Sequence, residues 1–185
     1  LSDCLHAEPG TPAAEATADD ALRPNQLLAV TLGAVDEADL VAEILCACRE
    51  LLIPGAIRSL ADRPVHPPLR IEGDGHVLND PDNPYFGVYA GDEDTRRKPA
   101  YHNGTAWTWP FPSYAEALSM AYGDAARDVV LDLLATSLEI LNTECLGQIC
   151  EVLDADAPHA QRGCGAQAWG VTELYRMLAR MNAEQ

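Results

Sequence analysis

Three segments carry side chains able to act on a ligand. The richest is Ala100-Tyr101-His102-Asn103-Gly104-Thr105-Ala106-Trp107-Thr108-Trp109-Pro110, with two tryptophans, a tyrosine, a histidine and an amide immediately before a helix. Aromatic faces stack on sugar C–H surfaces, while His and Asn hydrogen-bond hydroxyls, so the run has the apolar wall and few placed polar groups of a ligand site. An aromatic core plug at a helix N-terminus would have the same composition, and residue types alone weigh the two equally. The second segment runs from Gly147 to His159 and holds Glu151 among apolar neighbours. Desolvation or a partner would set the protonation of such a carboxyl, and either state suits a catalytic acid or base. The competing reading is a loop carboxylate paired with a nearby arginine. Asp154 and Asp156 hint at calcium, but no glycine and distal glutamate follow at EF-hand spacing. The third segment is Gly163-Cys164-Gly165-Ala166-Gln167-Ala168-Trp169-Gly170, where small residues let a helix start approach another backbone and Gln167 offers both donor and acceptors. Packing remains the default role for Trp169. There is no G-x-S-x-G, no phosphate-binding glycine loop and no H-E-x-x-H.

Amphipathic helices must position these segments. Leu40, Val41, Ile44, Leu45, Cys48, Leu51 and Leu52 form one stripe with Asp36 as N-cap and Pro54-Gly55 as stop. A shorter helix from Pro24 to Gly33 precedes it. Others are predicted over Ser113–Tyr122, Ala125–Leu141 and Ala166–Met181. Between Gly55 and Asn103 six prolines rule out long helices, and 142–165 is a second long loop. No clear period-2 strand emerges, although Arg70-Ile71-Glu72 and Gly75-His76-Val77-Leu78 could pair briefly. Helix pairs with elaborate loops at one end suit an α/α-toroid about as well as any bundle.

Over 185 residues, 48% hydrophobic and 22% charged, the chain has ordinary globular composition. A formal net charge of −17 argues against a nucleic-acid or anionic-membrane partner and permits a neutral substrate such as a sugar. No apolar run reaches the ~18 residues of a membrane span. Leu1-Ser2-Asp3-Cys4-Leu5 has neither the basic nor the apolar region of a signal peptide. Of six cysteines, Cys46 and Cys48 are not at zinc-knuckle spacing, so the set reads as reduced, mostly packed thiols in a cytoplasmic protein with no metal and no cofactor.

Taken in order, several runs resemble the C-terminal region of glycogen-debranching enzymes, their amylo-α-1,6-glucosidase part. They are Arg23-Pro24-Asn25-Gln26, Ile57-Arg58-Ser59-Leu60, Tyr85-Phe86-Gly87-Val88-Tyr89-Ala90-Gly91-Asp92, Tyr101-His102-Asn103-Gly104-Thr105-Ala106-Trp107, Ile149-Cys150-Glu151 and Gly163-Cys164-Gly165-Ala166-Gln167-Ala168-Trp169. Each is weak alone; six in the family's order, between Arg23 and Arg180, are specific.

The resemblance implies an all-α fold, part of an (α/α)6 barrel of six helical hairpins with long loops on the active-site end. Residues 1–185 would be the C-terminal part of the catalytic domain, with the N-terminal half of the barrel absent. It also implies hydrolysis of α-1,6-linked glucose at glycogen branch stubs with inversion, which needs an acid and a base roughly 6.5–9.5 Å apart. Glu151 matches the family's glutamate and is assigned as general base. The family's acid, an aspartate after a tryptophan and methionine, falls upstream of these residues. His102, Asn103, Trp107, Gln167 and Trp169 would line the sugar pocket, with Arg58 and Asp92 on neighbouring loops. Glycogen or limit dextrin is the implied partner, together with the rest of the catalytic domain or a second copy covering apolar hairpin faces. Arg96-Arg97-Lys98-Pro99 departs from the family's usual Arg-Asp, which bears on substrate preference. The alternatives are a glucoamylase- or trehalase-like hydrolase on the same barrel and a non-catalytic carbohydrate-binding helical module.

Overall fold

The structure, a computed structural model, describes residues 1–183. It opens with a two-stranded antiparallel pair, β1 (Leu5–His6) and β2 (Thr17–Ala18), then helices α1 (Gln26–Thr31) and α2 (Ala38–Cys48). Strands β3 (Leu52–Ile53) and β4 (Ala56–Arg58) turn back at Pro54-Gly55, and β5 (Glu72–Gly73) and β6 (His76–Val77) make a hairpin. A short α3 (Lys98–Tyr101) leads into β7 (Ala106–Trp107), followed by α4 (Phe111–Tyr122), α5 (Arg127–Ala135) and α6 (Ser137–Leu141). Strands β8 (Val152–Leu153) and β9 (Gln161–Arg162) precede the last helix, α7 (Ala168–Ala183).

The apolar stripe forms α2 as its period requires, burying Val41, Ile44, Leu45 and Cys48. Its start differs: Glu37, not Asp36, sits at the N-cap and makes no side-chain capping bond. Helix α4 is the hub. Every residue from Phe111 to Ala117 is buried, and the helix packs against α1, α2, α5 and α7. Burial extends to Glu116, whose carboxylate is closed by Arg176 at 3.0 and 2.7 Å and Arg180 at 2.8 Å, as a buried charge requires. The single helix predicted over Ala125–Leu141 breaks at Thr136. The Thr136 hydroxyl donates to Leu133 O at 2.6 Å and accepts from Gly55 N at 2.8 Å, diverting the backbone from an α ladder.

The all-α expectation, and with it the (α/α)6 barrel, is overturned. Helix makes up 43% and strand 11%, the latter in three sheets, so the class is mixed α and β. The largest sheet has the order β3-β4-β7-β8-β9 and is antiparallel throughout, with Ile57 opposite Trp107 and Trp107 opposite Val152. Strands of two or three residues give alternation no length in which to register, and Ala56, Ile57, Ala106, Trp107, Val152 and Leu153 are all buried, so no polar face alternates. The sheet shares one apolar cluster with α5, α6 and α7, through Ala56, Ala106 and Leu153 against Val130, Leu134, Ile140 and Met177. A second cluster joins α1, α2 and α4. The expected brief pairing near residue 72 does form, as β5–β6. Its turn, Asp74-Gly75, takes φ of 49° and 78°, the double positive φ of a tight hairpin.

The cysteines are free, but only Cys48 and Cys150 are packed, with burial pushing their thiols up to about 12 and about 11. Cys4, Cys46, Cys145 and Cys164 are exposed. Among the described residues no helix is long and apolar enough to cross a membrane.

Candidate functional site

Strand β7 and the turn after α3 build one wall of a cavity of about 430 Å³, within the roughly 300–1,000 Å³ of small-molecule sites. Arg23, Ser59, His102, Trp107, Trp109 and Trp169 are on its surface. Trp107 is held by pairing in the sheet and by its indole N–H, which donates to Tyr101 O at 2.9 Å. His102 lies parallel to Trp107, ring centroids 5.3 Å apart, and Tyr101 meets Trp107 edge-on at 4.6 Å. Trp169, in the first turn of α7, stacks on Trp109 at 4.0 Å and stays half exposed, presenting a flat apolar face.

Glu151 precedes β8, opposite Thr108, whose N–H donates to its carbonyl at 3.4 Å. Its own N–H donates to Cys164 O at 2.8 Å. The carboxylate accepts from the Tyr101 hydroxyl on Oε1 and from Cys164 N–H on Oε2 at 3.0 Å. No arginine pairs with it among the described residues, so the ion-pair alternative is not what is seen. Gly163 has φ of 67°, and a Cβ there would come within 2.5 Å of Oε2, so the glycine lets the loop close on the carboxylate. Burial and the Glu151 carboxylate together raise the Tyr101 pKa, keeping the phenol protonated as a donor. Neither Tyr101 nor Glu151 is on the cavity surface. Tyr101 connects the two, its ring against His102 and Trp107 and its hydroxyl on Glu151.

Thus His102, Trp107 and Trp169 are brought together around the cavity, with Glu151 one side chain behind. The other candidates fall elsewhere. Asn103 accepts from Arg23 at 2.8 Å and donates to Pro99 O at 2.8 Å, which commits its amide to the fold. Arg58 ties Glu50 O and Ala155 O across the sheet, each at 3.2 Å. Asp92 caps the turn Glu93–Arg97, accepting from Asp94 N and Thr95 N at 3.0 Å. Gln167 has a buried Oε1 without a hydrogen-bond partner, beside a backbone N–H that donates to Ile149 O. Asp154 and Asp156 serve loop closure: Asp154 accepts from Tyr89 N and Arg162, Asp156 from the Tyr85 hydroxyl.

Arg23 is the residue that sequence reasoning quoted without giving a role. One guanidinium nitrogen donates to Ser59 O at 3.1 Å and to His102 O, another to Asn103 Oδ1, and Nε faces Asp3 at 3.4 Å. The Arg23-Pro24-Asn25-Gln26 run was the available signal; nothing in the sequence singles out Asp3, which also reaches the cavity.

A cavity walled by stacked aromatics, with a fixed carboxylate beside it, is an arrangement suited to a saccharide. The sequence profile of the amylo-alpha-1,6-glucosidase family matches residues 75–176, more than half of the chain, a span that includes Tyr101, His102, Trp107, Glu151 and Trp169. The chain belongs to that family, as a glucosidase domain related to glycogen-debranching enzymes. No curated protein sequence matches it significantly.

Partial burial and the Arg23 charge lower the His102 pKa below its ordinary value. A folded-state pKa below the unfolded one means that protonation favours unfolding, so this contribution to stability is intact above the ordinary histidine pKa of about 6.5 and is lost as pH falls from there through the lowered folded-state pKa. In Arg23→Gln the imidazole pKa is expected to rise toward its ordinary value, measured by NMR titration of the ring. An unchanged pKa would show that the Arg23 charge does not depress the His102 imidazole.

Proposed function

We propose that this domain hydrolyses α-1,6-linked glucose at the branch stubs of a limit dextrin with inversion, and that Glu151 is the general base that activates the attacking water. The observation that carries this reading is the Glu151 carboxylate gripped by the Tyr101 hydroxyl and the Cys164 N–H, inside the span matched by the glucosidase family. Each carboxylate oxygen uses one lone pair on these donors and keeps another for a water. His102, Trp107 and the Trp109–Trp169 stack supply the flat faces that sugar rings need. The general acid comes from an upstream segment, as the resemblance implies.

The test is to incubate limit dextrin with the chain extended upstream and to read the anomeric proton of released glucose by NMR before mutarotation. Inversion of an α linkage gives β-glucose first. Release of α-glucose would remove the inverting mechanism. Binding of dextrin with no release would make the domain a carbohydrate-binding module, and turnover of α-1,4 or α-1,1 substrates instead would shift it to a glucoamylase- or trehalase-like specificity.

A further inference from the structure

We propose that Cys4, His6 and Asp19 form a binding site for a zinc-like divalent cation on the β1–β2 hairpin. The β1–β2 register puts Leu5 opposite Ala18 and His6 opposite Thr17, so Cys4 and Asp19 are the next pair, and His6 lies on the same face as Cys4, two residues on. The three donor atoms converge: Cys4 Sγ is 3.2 Å from His6 Nε2 and 3.0 Å from Asp19 Oδ2, and His6 Nε2 is 3.3 Å from the same oxygen. A tetrahedral zinc with Zn–S near 2.3 Å and Zn–N or Zn–O near 2.0–2.2 Å sets S···N and S···O at about 3.5 Å and N···O at about 3.4 Å. The observed triangle needs to open by no more than about half an ångström to accept the ion. Spacing along the chain hides this set, because Asp19 joins it only across the hairpin.

The surroundings orient the ligands as a metal site requires. Asp19 Oδ1 accepts from Asp3 N at 3.3 Å, which turns Oδ2 toward Cys4 and His6. Ser2 Oγ lies 2.8 Å from Cys4 O and 2.9 Å from Asp19 O, so its one proton can bond either strand end. A thiolate, an imidazole and one carboxylate favour zinc, or cobalt in its place, over magnesium or calcium. With three protein ligands the fourth position takes water. Binding converts the Cys4 thiol to a metal-bound thiolate and releases its proton to solvent, so affinity rises with pH. The clip would fix the segment that delivers Asp3 to Arg23 and Asn25. It does not rest on the glucosidase reading.

The experiment is a titration of the metal-free, reduced full chain with Co²⁺, followed by Zn²⁺. The expected result is one Co²⁺ per chain with tetrahedral d–d bands and a thiolate-to-cobalt charge-transfer band, displaced by Zn²⁺. Cys4→Ser should abolish the charge-transfer band, and His6→Ala and Asp19→Asn should each weaken binding more than about tenfold. The Cys46→Ser/Cys145→Ser/Cys164→Ser triple variant should retain the band. Absence of the band from the parent chain, or its persistence in folded Cys4→Ser, would overturn the site and leave a hydrogen-bonded cluster.

Discussion

Glu151→Gln is expected to lower glucose release from limit dextrin by about 10²–10⁴-fold, the usual worth of a general base. The substitution keeps the shape and an oxygen to accept from Tyr101 or Cys164 N–H, but an amide cannot take a proton from the attacking water. Binding should change little, so the loss falls on kcat and not on KM. Chemical rescue separates a base from a positioning group. In Glu151→Ala, azide needs no deprotonation and should restore turnover as a glucosyl azide of inverted configuration. A Gln variant with near-normal kcat, or an Ala variant that azide does not restore, would remove Glu151 from the reaction. Tyr101→Phe gives a milder comparison, since it deletes one of two donors to the carboxylate.

Gly104→Ala is expected to cost about 3–5 kcal/mol, combining backbone strain with overpacking. Gly104 has φ of 138° and faces Phe86 across a parallel bridge, and a Cβ would fall on the Phe86 carbonyl and backbone. Backbone cannot step aside as a side-chain tip can. Phe86 N donates to Asn103 O at 2.6 Å and Gly104 N to Ser59 Oγ at 3.0 Å, so two neighbouring segments would move with it. For a chain of this size the Tm should fall by about 6–20 °C. Gly147→Ala is the control: φ is 75°, but nothing lies within 4 Å of its Cβ, so only conformational strain of about 1–2 kcal/mol applies. Equal losses in the two variants, read by thermal melts, would show that contact with Phe86 does not matter.

What could be read in advance was local. The α2 stripe declares itself because its apolar residues repeat at the helix period, and the brief pairing of Arg70-Ile71-Glu72 with Gly75-His76-Val77-Leu78 is legible because the two runs are neighbours in the chain. The five-stranded sheet was invisible, since β4, β7 and β8 are short, apolar on both sides and far apart in sequence. The same limit applied to the site. Residue type and resemblance pointed to Trp107 and Glu151, yet the phenol that holds Glu151 lies 50 residues away. Asn103 looked like a ligand contact because its chemistry permits it, and Arg58 because the resemblance carried it over. Only the tertiary fold shows that Asn103 also bonds Arg23 and Pro99, and that Arg58 also bonds Glu50 O and Ala155 O.

Arg23 gathers acceptors from Ser59, His102 and Asn103 and a carboxylate from Asp3, segments that share no strand or helix. None of these segments can swing away without stranding part of a largely buried cation, so they open together or not at all. Amide protons of Gly104 and Phe86, on the chain these acceptors hold, should therefore exchange with solvent through one shared opening event, and a ligand entering the cavity would meet a rim already set as a unit.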